Sequence, residues 1–415
     1  MTEKTHQDID EGHLLGILAD LVSFRTQAPP GHNYHQAIDY LAETFRKMGF
    51  RTEKLLMPED VFLARCDDPR LQGERVNLIA TLDVGAKETL VIYTHIDVVP
   101  PGEGWSSDPF VLDVRDGRAF GRGVADSKGP VAAMIVALQR LLESSRPKYN
   151  LQVLLTTDEE VGGYSGLCYL TDSGLVRGDK MLCMDGFSDD VVIGSNGTIT
   201  WEVVVQGRAA HSGYSFLGEN AIEKAIPVLE GMMEYRKIVE SKTSTVPASS
   251  SVRTLGLEGL VPRFNVTMID AGIKENIIPD RCVIRGDRRV IPEESMEEAM
   301  EGLESTIKSL KDHLGIQLDL RILPGYPPMR MNQDHPWIEE VALAVGRVKG
   351  SPPSIAGSQG TLDQAYATEK TRIPAAVYGV GRQTESNHHG LDENVRVADL
   401  VSYVRFIEVL LSSEA

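Results

Sequence analysis

Three apolar runs that each end on a histidine or on carboxylates constrain this chain more than anything else in it. ETLVIYTHIDVV (88–99) reaches His95 and Asp97, NLQVLLTTDEE (150–160) reaches Asp158, Glu159 and Glu160, and KMLCMDG (180–186) reaches Asp185. RVNLIATLDV (75–84) and PAAVYGVG (374–381) have the same β-rich character. Near-continuous apolar runs predict strands covered on both faces. KGPVAAMIVALQRLLESS (128–145) predicts a strong helix between the 88–99 and 150–160 runs. Strand–helix–strand order with buried strands predicts an α/β layered, mostly parallel sheet. Two helices are predicted upstream, over 11–24 and 34–49, the second closed by Gly49.

The middle of the chain reads differently. Strands are predicted over 198–209, 263–272, 281–291 and 317–323, and helices over 220–241 and 294–315, with Gly315 as the stop of the latter. That order, β-α-β-β-α-β, is the ferredoxin-like arrangement. At roughly 150 residues per domain, 415 residues predict two or three domains. The expectation is an α+β ferredoxin-like domain at 197–325, inserted into a discontinuous domain made of 1–196 and 326–415. GYPPMR (325–330) returns the chain, and SKTSTVPASSS (241–251) is expected to be a polar surface loop.

Composition excludes several function classes. Lys plus Arg number 42 and Asp plus Glu 60, a net charge of −18 that makes nucleic acid and anionic membranes poor partners. Four scattered cysteines without a C-x-x-C pair predict reduced thiols rather than a disulfide framework or a thiolate zinc site. MTEKTHQDIDEGHLL lacks a basic segment followed by an apolar one, so no signal peptide is expected. No apolar run reaches the ~20 residues of a spanning helix. A soluble, cytoplasmic protein is expected. No phosphate loop or nucleophile elbow stands out, and the GRG at 121–123 lacks the strand–GxGxxG–helix context.

In open α/β sheets ligands bind outside the carboxyl ends of the strands, where the three runs place their polar residues. His95 and Asp97, two apart, face the same way in an extended segment. A neutral imidazole is a good metal ligand, and a neighbouring carboxylate can orient it. The plain alternative is a strand that turns polar as it meets water. Asp126, in GRGVADSKGP (121–130), reads in isolation as a helix N-cap. Asp158-Glu159-Glu160 crowds three acids, which repel unless a cation is present or one is protonated. His388-His389 alone is compatible with an exposed loop, and His211 in GRAAHSG alone reads as structural. Taken together, His, Asp and Glu without thiolate suit Zn²⁺, Co²⁺ or Mn²⁺. Two ions sharing a carboxylate make a hydrolytic site, and a spare glutamate is then needed as general base.

THIDVVPPGEGWSSDPF, GRGVADSKGP, TTDEEVGG, GRAAHSG, NIIPD and HHGLDE occur in this order over residues 94–393. Together they resemble the dinuclear zinc aminoacylase/peptidase family, which includes acetylornithine deacetylase, succinyl-diaminopimelate desuccinylase, aminoacylase, glutamate carboxypeptidase and dipeptidases. Each motif is weak alone; six in register are specific. The resemblance implies that His95 and Asp185 hold one metal ion, Glu160 and His389 the other, and that Asp126 bridges them beside a strained peptide to residue 127. Asp97 would orient His95, and Glu159 would be general base and proton shuttle. His211 would polarise the scissile carbonyl from the inserted lid, often across a dimer. Asn276 and Arg289 would grip the substrate's carboxylate, with Arg288 the competing choice and the D-x-R spacing from Asp287 favouring Arg289. Gly360 and Thr361 would line the carboxylate pocket.

The implied function is hydrolysis of the amide bond of a small N-acyl amino acid by a metal-activated water, in a homodimer joined through the lid. Two departures bear on the branch: Asp185 stands where deacylases usually have glutamate, and SKGP follows Asp126, both frequent among dipeptidases. A metallo-dipeptidase or carboxypeptidase is therefore the alternative, and a non-catalytic binding homologue a remote one, opposed by the intact Glu159 and ligand set.

Overall fold

The protein is described here by a computed structural model covering residues 8–66 and 68–413. Its largest sheet has nine strands. In spatial order they are Arg51–Leu56, Val76–Leu82, Asn150–Thr156, Thr89–His95, Lys180–Cys183, Ala375–Val377, Asp190–Ser195 and Met329–Arg330, and Ser354–Ser358 also pairs with Asp190–Ser195. The four central strands from Asn150–Thr156 to Ala375–Val377 are parallel. The sheet is nevertheless mixed, because Arg51–Leu56, Val76–Leu82 and Met329–Arg330 pair antiparallel at its flanks.

The pleat explains why the central strands read as unbroken apolar runs. In Thr89–His95, Leu90 and Ile92 join one core, while Val91 and Tyr93 join another on the opposite face. The first core is shared with helices Glu11–Ser23, Lys128–Ser144 and Val397–Leu411. The second is shared with Leu167–Asp172 and Gln364–Thr371. Register then aligns the strand ends. His95 lies opposite Thr156, and Tyr93 opposite Cys183. The polar residues that follow each run therefore leave the sheet at one edge.

A second sheet, wholly antiparallel, has the order Arg263–Ala271, Arg281–Val290, Gly197–Gln206, Leu318–Pro324. Helices Ala221–Val239 and Met296–Leu314 cover it, packing around Trp201, Val203, Phe264 and Ile284. Trp201 stacks on Phe264 with ring centroids 5.0 Å apart. Sequence order and strand order match the ferredoxin-like expectation. A capping box of Ser295 and Glu298 starts the last helix, and Gly315 at φ +64 ends it.

The expected surface loop at 241–251 is exposed at 241–243 and at Thr245 but covered over most of the rest. Ser244, Val246, Ala248 and Ser249 are buried. Val246 packs with Leu260 and Ile291, and Ala248 bridges in parallel to Gly357 on the edge strand Ser354–Ser358. A Cβ at Gly357 would lie 2.7 Å from Val246, so only glycine admits this approach. The segment is polar because its hydroxyls and backbone meet carboxylates: Ser250 N–H donates to Asp190, and Thr245 N–H to Glu293. Polar composition here marks a covered sheet edge. Among the described residues, no helix is long and apolar enough to cross a membrane. All four cysteines are free thiols.

Candidate metal centre

The edge where the parallel strands end gathers two groups of ligands. His95, Asp126 and Asp185 form one, and Asp126, Glu160 and His389 the other. Within each group a donor atom from every member lies within 4.8 Å of the others. Asp126 belongs to both. Its Oδ1 lies 3.0 Å from His95 Nε2 and its Oδ2 3.2 Å from His389 Nε2. One carboxylate thus offers a separate oxygen to each side, the arrangement a bridging ligand requires. Glu160 Oε2 closes the second group at 2.9 Å from His389 Nε2. The donors are imidazole and carboxylate only, a set that fits a pair of divalent ions. These are the five residues that the sequence nominates as metal ligands, brought together from points as far apart as 95 and 389.

Asp126 is no helix cap. Ser127 precedes the first turn of Lys128–Ser144 and makes no side-chain cap bond, and the peptide between Asp126 and Ser127 is cis. Asp97 is fully buried. Its carboxylate lies 3.5 Å from His95 Nδ1, and its carbonyl 3.1 Å from the same nitrogen. The carboxylate also accepts the N–H groups of Glu159 at 3.3 Å and Glu160 at 3.2 Å. One residue therefore orients a ligand on one strand and fixes the turn that carries two acids from the next.

The three adjacent acids have divided roles. Asp158, at φ +66, turns away from the cluster into a buried ion pair with Arg75 at 2.7 Å. It also accepts the hydroxyls of Tyr34, at 2.6 Å, and of Ser165. Of the three crowded acids, Asp158 is therefore relieved by Arg75 and is not part of either ligand group. A short 3-10 turn, Glu159–Val161, rotates successive side chains apart. Glu160 then faces His389, while Asp158 anchors the turn from behind.

Burial pushes the Glu159 carboxyl well above the ordinary glutamate value, with the negative charges of Asp363, Asp185 and Glu160 adding to it and His95 opposing. Such a shift brings a carboxylate towards the basicity a general base needs at neutral pH. Burial likewise raises Glu160 to about 7 and Asp185 to about 6. Hydrogen bonds to Asp126 and Glu160 push His389 up to about 10. Binding a metal ion at His389 must therefore displace a proton.

The residues expected from the inserted domain are placed less uniformly. Arg289 Nη1 donates to Thr361 Oγ1 at 2.9 Å, and its Nε donates to Asp287 at 2.7 Å. Two predicted substrate residues, one on the second sheet and one in the loop after Ser354–Ser358, thus touch. Arg288 is buried in an ion pair with Glu294 at 2.8 Å, which leaves Arg289 as the available guanidinium. The Gly360 carbonyl accepts from the Asn196 N–H at 3.1 Å, beside the start of the second sheet. His211 and Asn276 line a cleft of about 420 Å³ with Ala209, Ala210, Lys274 and Ile277, and no metal-cluster residue borders it. The structure pairs these two residues without bringing them to the cluster.

Several polar residues near the centre were not singled out by sequence. Arg122 and Glu393 form a buried pair beside Asp126. Asp363, buried, accepts from the Tyr93 hydroxyl, and burial raises its pKa to about 7. Their partners lie some 270 positions away in sequence, so no local spacing reveals them.

Known proteins are similar to this chain along most of its length. The family model described as Peptidase family M20/M25/M40 matches residues 91–413. A succinyl-diaminopimelate desuccinylase of Xanthomonas oryzae pv. oryzae is 32% identical over 363 residues, covering 83% of this chain and 89% of that protein. One from Xanthomonas euvesicatoria is 30% identical over 416 residues, covering 96% and 99%. Among solved structures, the M20 metallo-carboxypeptidase Sso-CP2 of Sulfolobus solfataricus superposes with a TM-score of 0.76 at 20% identity, covering 96% of this chain and 98% of that one. The YXEP protein of Bacillus subtilis, described as a dinuclear metal-binding peptidase, gives 0.65 at 15% identity, covering 97% of each.

Proposed function

This chain belongs to peptidase family M20/M25/M40, and we propose that it is a deacylase that hydrolyses the amide bond of a small N-acyl amino acid with two divalent ions, zinc first among them. The observation that carries the proposal is Asp126, whose two oxygens each meet a different histidine. Identities of 30–32% to succinyl-diaminopimelate desuccinylases support the acyl-amino-acid class over a peptide.

His95, Asp126 and Asp185 would hold one ion, and Asp126, Glu160 and His389 the other. When bound, such a pair supplies Lewis-acid polarisation and a water whose pKa falls towards neutrality. Glu159 takes the proton of the attacking water and delivers it to the leaving amine. Its raised pKa suits both halves of that transfer. Asp97 keeps His95 and the 159–160 turn in register for it. Arg289 and Thr361 receive the substrate's carboxylate through a charge-assisted hydrogen bond, and Gly360 shapes that pocket. Asn276 adds a further grip.

Residues 197–325 act as a lid on the domain formed by 1–196 and 326–415. His211 stabilises the developing oxyanion from a second subunit. Support for a homodimer comes from apolar side chains left exposed on the lid: Met268 and Ile269 on its edge strand, and Ile222 and Ile226 on a helix. A cytoplasmic setting suits four free thiols.

The test is a panel of N-succinyl, N-acetyl and free-amine dipeptide amides, assayed with Zn²⁺, Co²⁺ or Mn²⁺. Metal-dependent release of amino acid from the acylated substrates is the expected result. Cleavage of free-amine dipeptides alone would make it a dipeptidase.

A further inference from the structure

The HHGLDE motif carries a glutamate that none of these roles uses. Glu393 is 1% exposed and pairs with Arg122, also 1% exposed, at 2.7 Å. Its two oxygens are otherwise occupied by backbone. Oε2 accepts the N–H of Gly123 at 2.9 Å, and Oε1 accepts those of Ala125 at 2.9 Å and Asp126 at 3.1 Å. The loop that presents Asp126 is thus wrapped around one carboxylate. Arg122 extends the network the other way. Its Nη2 donates to the carbonyls of Gly390 at 3.0 Å and His389 at 3.4 Å. Trp105 lies over the guanidinium, 5.1 Å from ring centroid to carbon.

We propose that Arg122 and Glu393 are positioning residues that lock the Asp126 loop to the His389 loop and thereby set the affinity of the second metal position. The inference rests on the dinuclear reading of the site and deepens it. His95 and Asp185 follow directly from core strands, so the first position keeps two ligands held by the sheet itself. The second position depends on Asp126, on His389, which stands at φ +59 in a loop with its side chain 54% exposed, and on Glu160 in a turn. Two of its three ligands hang on the Arg122–Glu393 pair; only one of the first position's does. Loosening the pair therefore acts mainly on the second ion.

The experiment titrates metal-free full-length protein with Mn²⁺ against a competing chelator and records the electron paramagnetic resonance spectrum at two ions per chain. Wild type gives two binding steps and an exchange-coupled signal. In Glu393→Gln, an amide NH₂ replaces an oxygen that accepts N–H groups. Arg122→Lys keeps the charge facing Glu393 but loses the fork that also reaches two carbonyls. Each variant is expected to bind the second ion 10–100-fold more weakly, the range for outer partners of metal ligands. The first step changes less than threefold, and the coupling is lost at matched concentration. Should Glu393→Gln fail to fold, Arg122→Lys decides. Two unchanged steps with coupling retained would reduce the pair to a structural role and overturn the inference, as would equal weakening of both steps. A wild-type chain that takes up fewer than two ions would instead remove the dinuclear reading beneath it.

Discussion

Replacing Asp158 by alanine separates a structural acid from the catalytic acids next to it. The change removes the carboxylate facing Arg75 at 2.7 Å, with both side chains buried, together with the acceptor for the Tyr34 and Ser165 hydroxyls. Stranding one charge of a buried pair costs about 3–5 kcal/mol. Arg75 keeps hydrogen bonds to the carbonyls of Gly73 at 2.8 Å and Pro30 at 3.0 Å, which partly solvate its charge and place the cost near ~3 kcal/mol. A domain of this size loses about 2 °C of Tm per kcal/mol. Calorimetry of the metal-loaded variant should therefore show a Tm lower by about 6 °C, while elemental analysis still finds two ions per chain. The double variant Arg75→Ala/Asp158→Ala should lose less than the sum of the two single changes, because both remove the same pair. An unchanged Tm together with loss of one ion would refute the reasoning and place Asp158 in the metal cluster.

Glu159→Gln should lower kcat by about 10²–10⁴-fold, the range for general acid–base catalysis, with metal content unchanged by elemental analysis. Arg289→Ala should raise KM about 10–100-fold, the equivalent of one charge-assisted hydrogen bond, with little change in Tm. Arg288→Ala should do the reverse, lowering Tm through its broken pair with Glu294; steady-state kinetics beside thermal melts distinguishes the two. If His211 acts across a dimer, mixing His211→Ala with Glu159→Gln under subunit exchange should restore part of the activity, because one hybrid site is then intact. No recovery despite proven exchange would place His211 in its own subunit's site.

The parts of this protein that were legible in sequence share a cause. His95, Glu160 and Asp185 follow apolar strands of one parallel core, so hydrophobic runs announced both the sheet and the edge where its ligands emerge. His389 and Asp126 lie in loops, and only their joint pattern with the others gave them meaning. What stayed hidden depends on partners distant in the chain. Asp158 differs from Glu160 through Arg75, 83 positions away, and Glu393 acquires a role only through Arg122, 271 positions away. Two strands at one flank of the sheet escaped notice for another reason. Asp190–Ser195 and Ser354–Ser358 are short and contain glycine and serine, which give weak strand signals, yet the first is buried along its whole length. The 241–251 segment shows the same limit from the other side: the hydroxyls of Ser244, Ser249 and Ser250 meet partners within the structure rather than water alone.

Zinc K-edge anomalous diffraction from crystals of the metal-loaded protein tests the central claim most directly. Two peaks about 3.5–4 Å apart, one on each side of the Asp126 carboxylate, with His95 and Asp185 at one and Glu160 and His389 at the other, are the predicted result. A single peak, or two peaks that do not share Asp126, would contradict the dinuclear site on which the proposed hydrolysis depends.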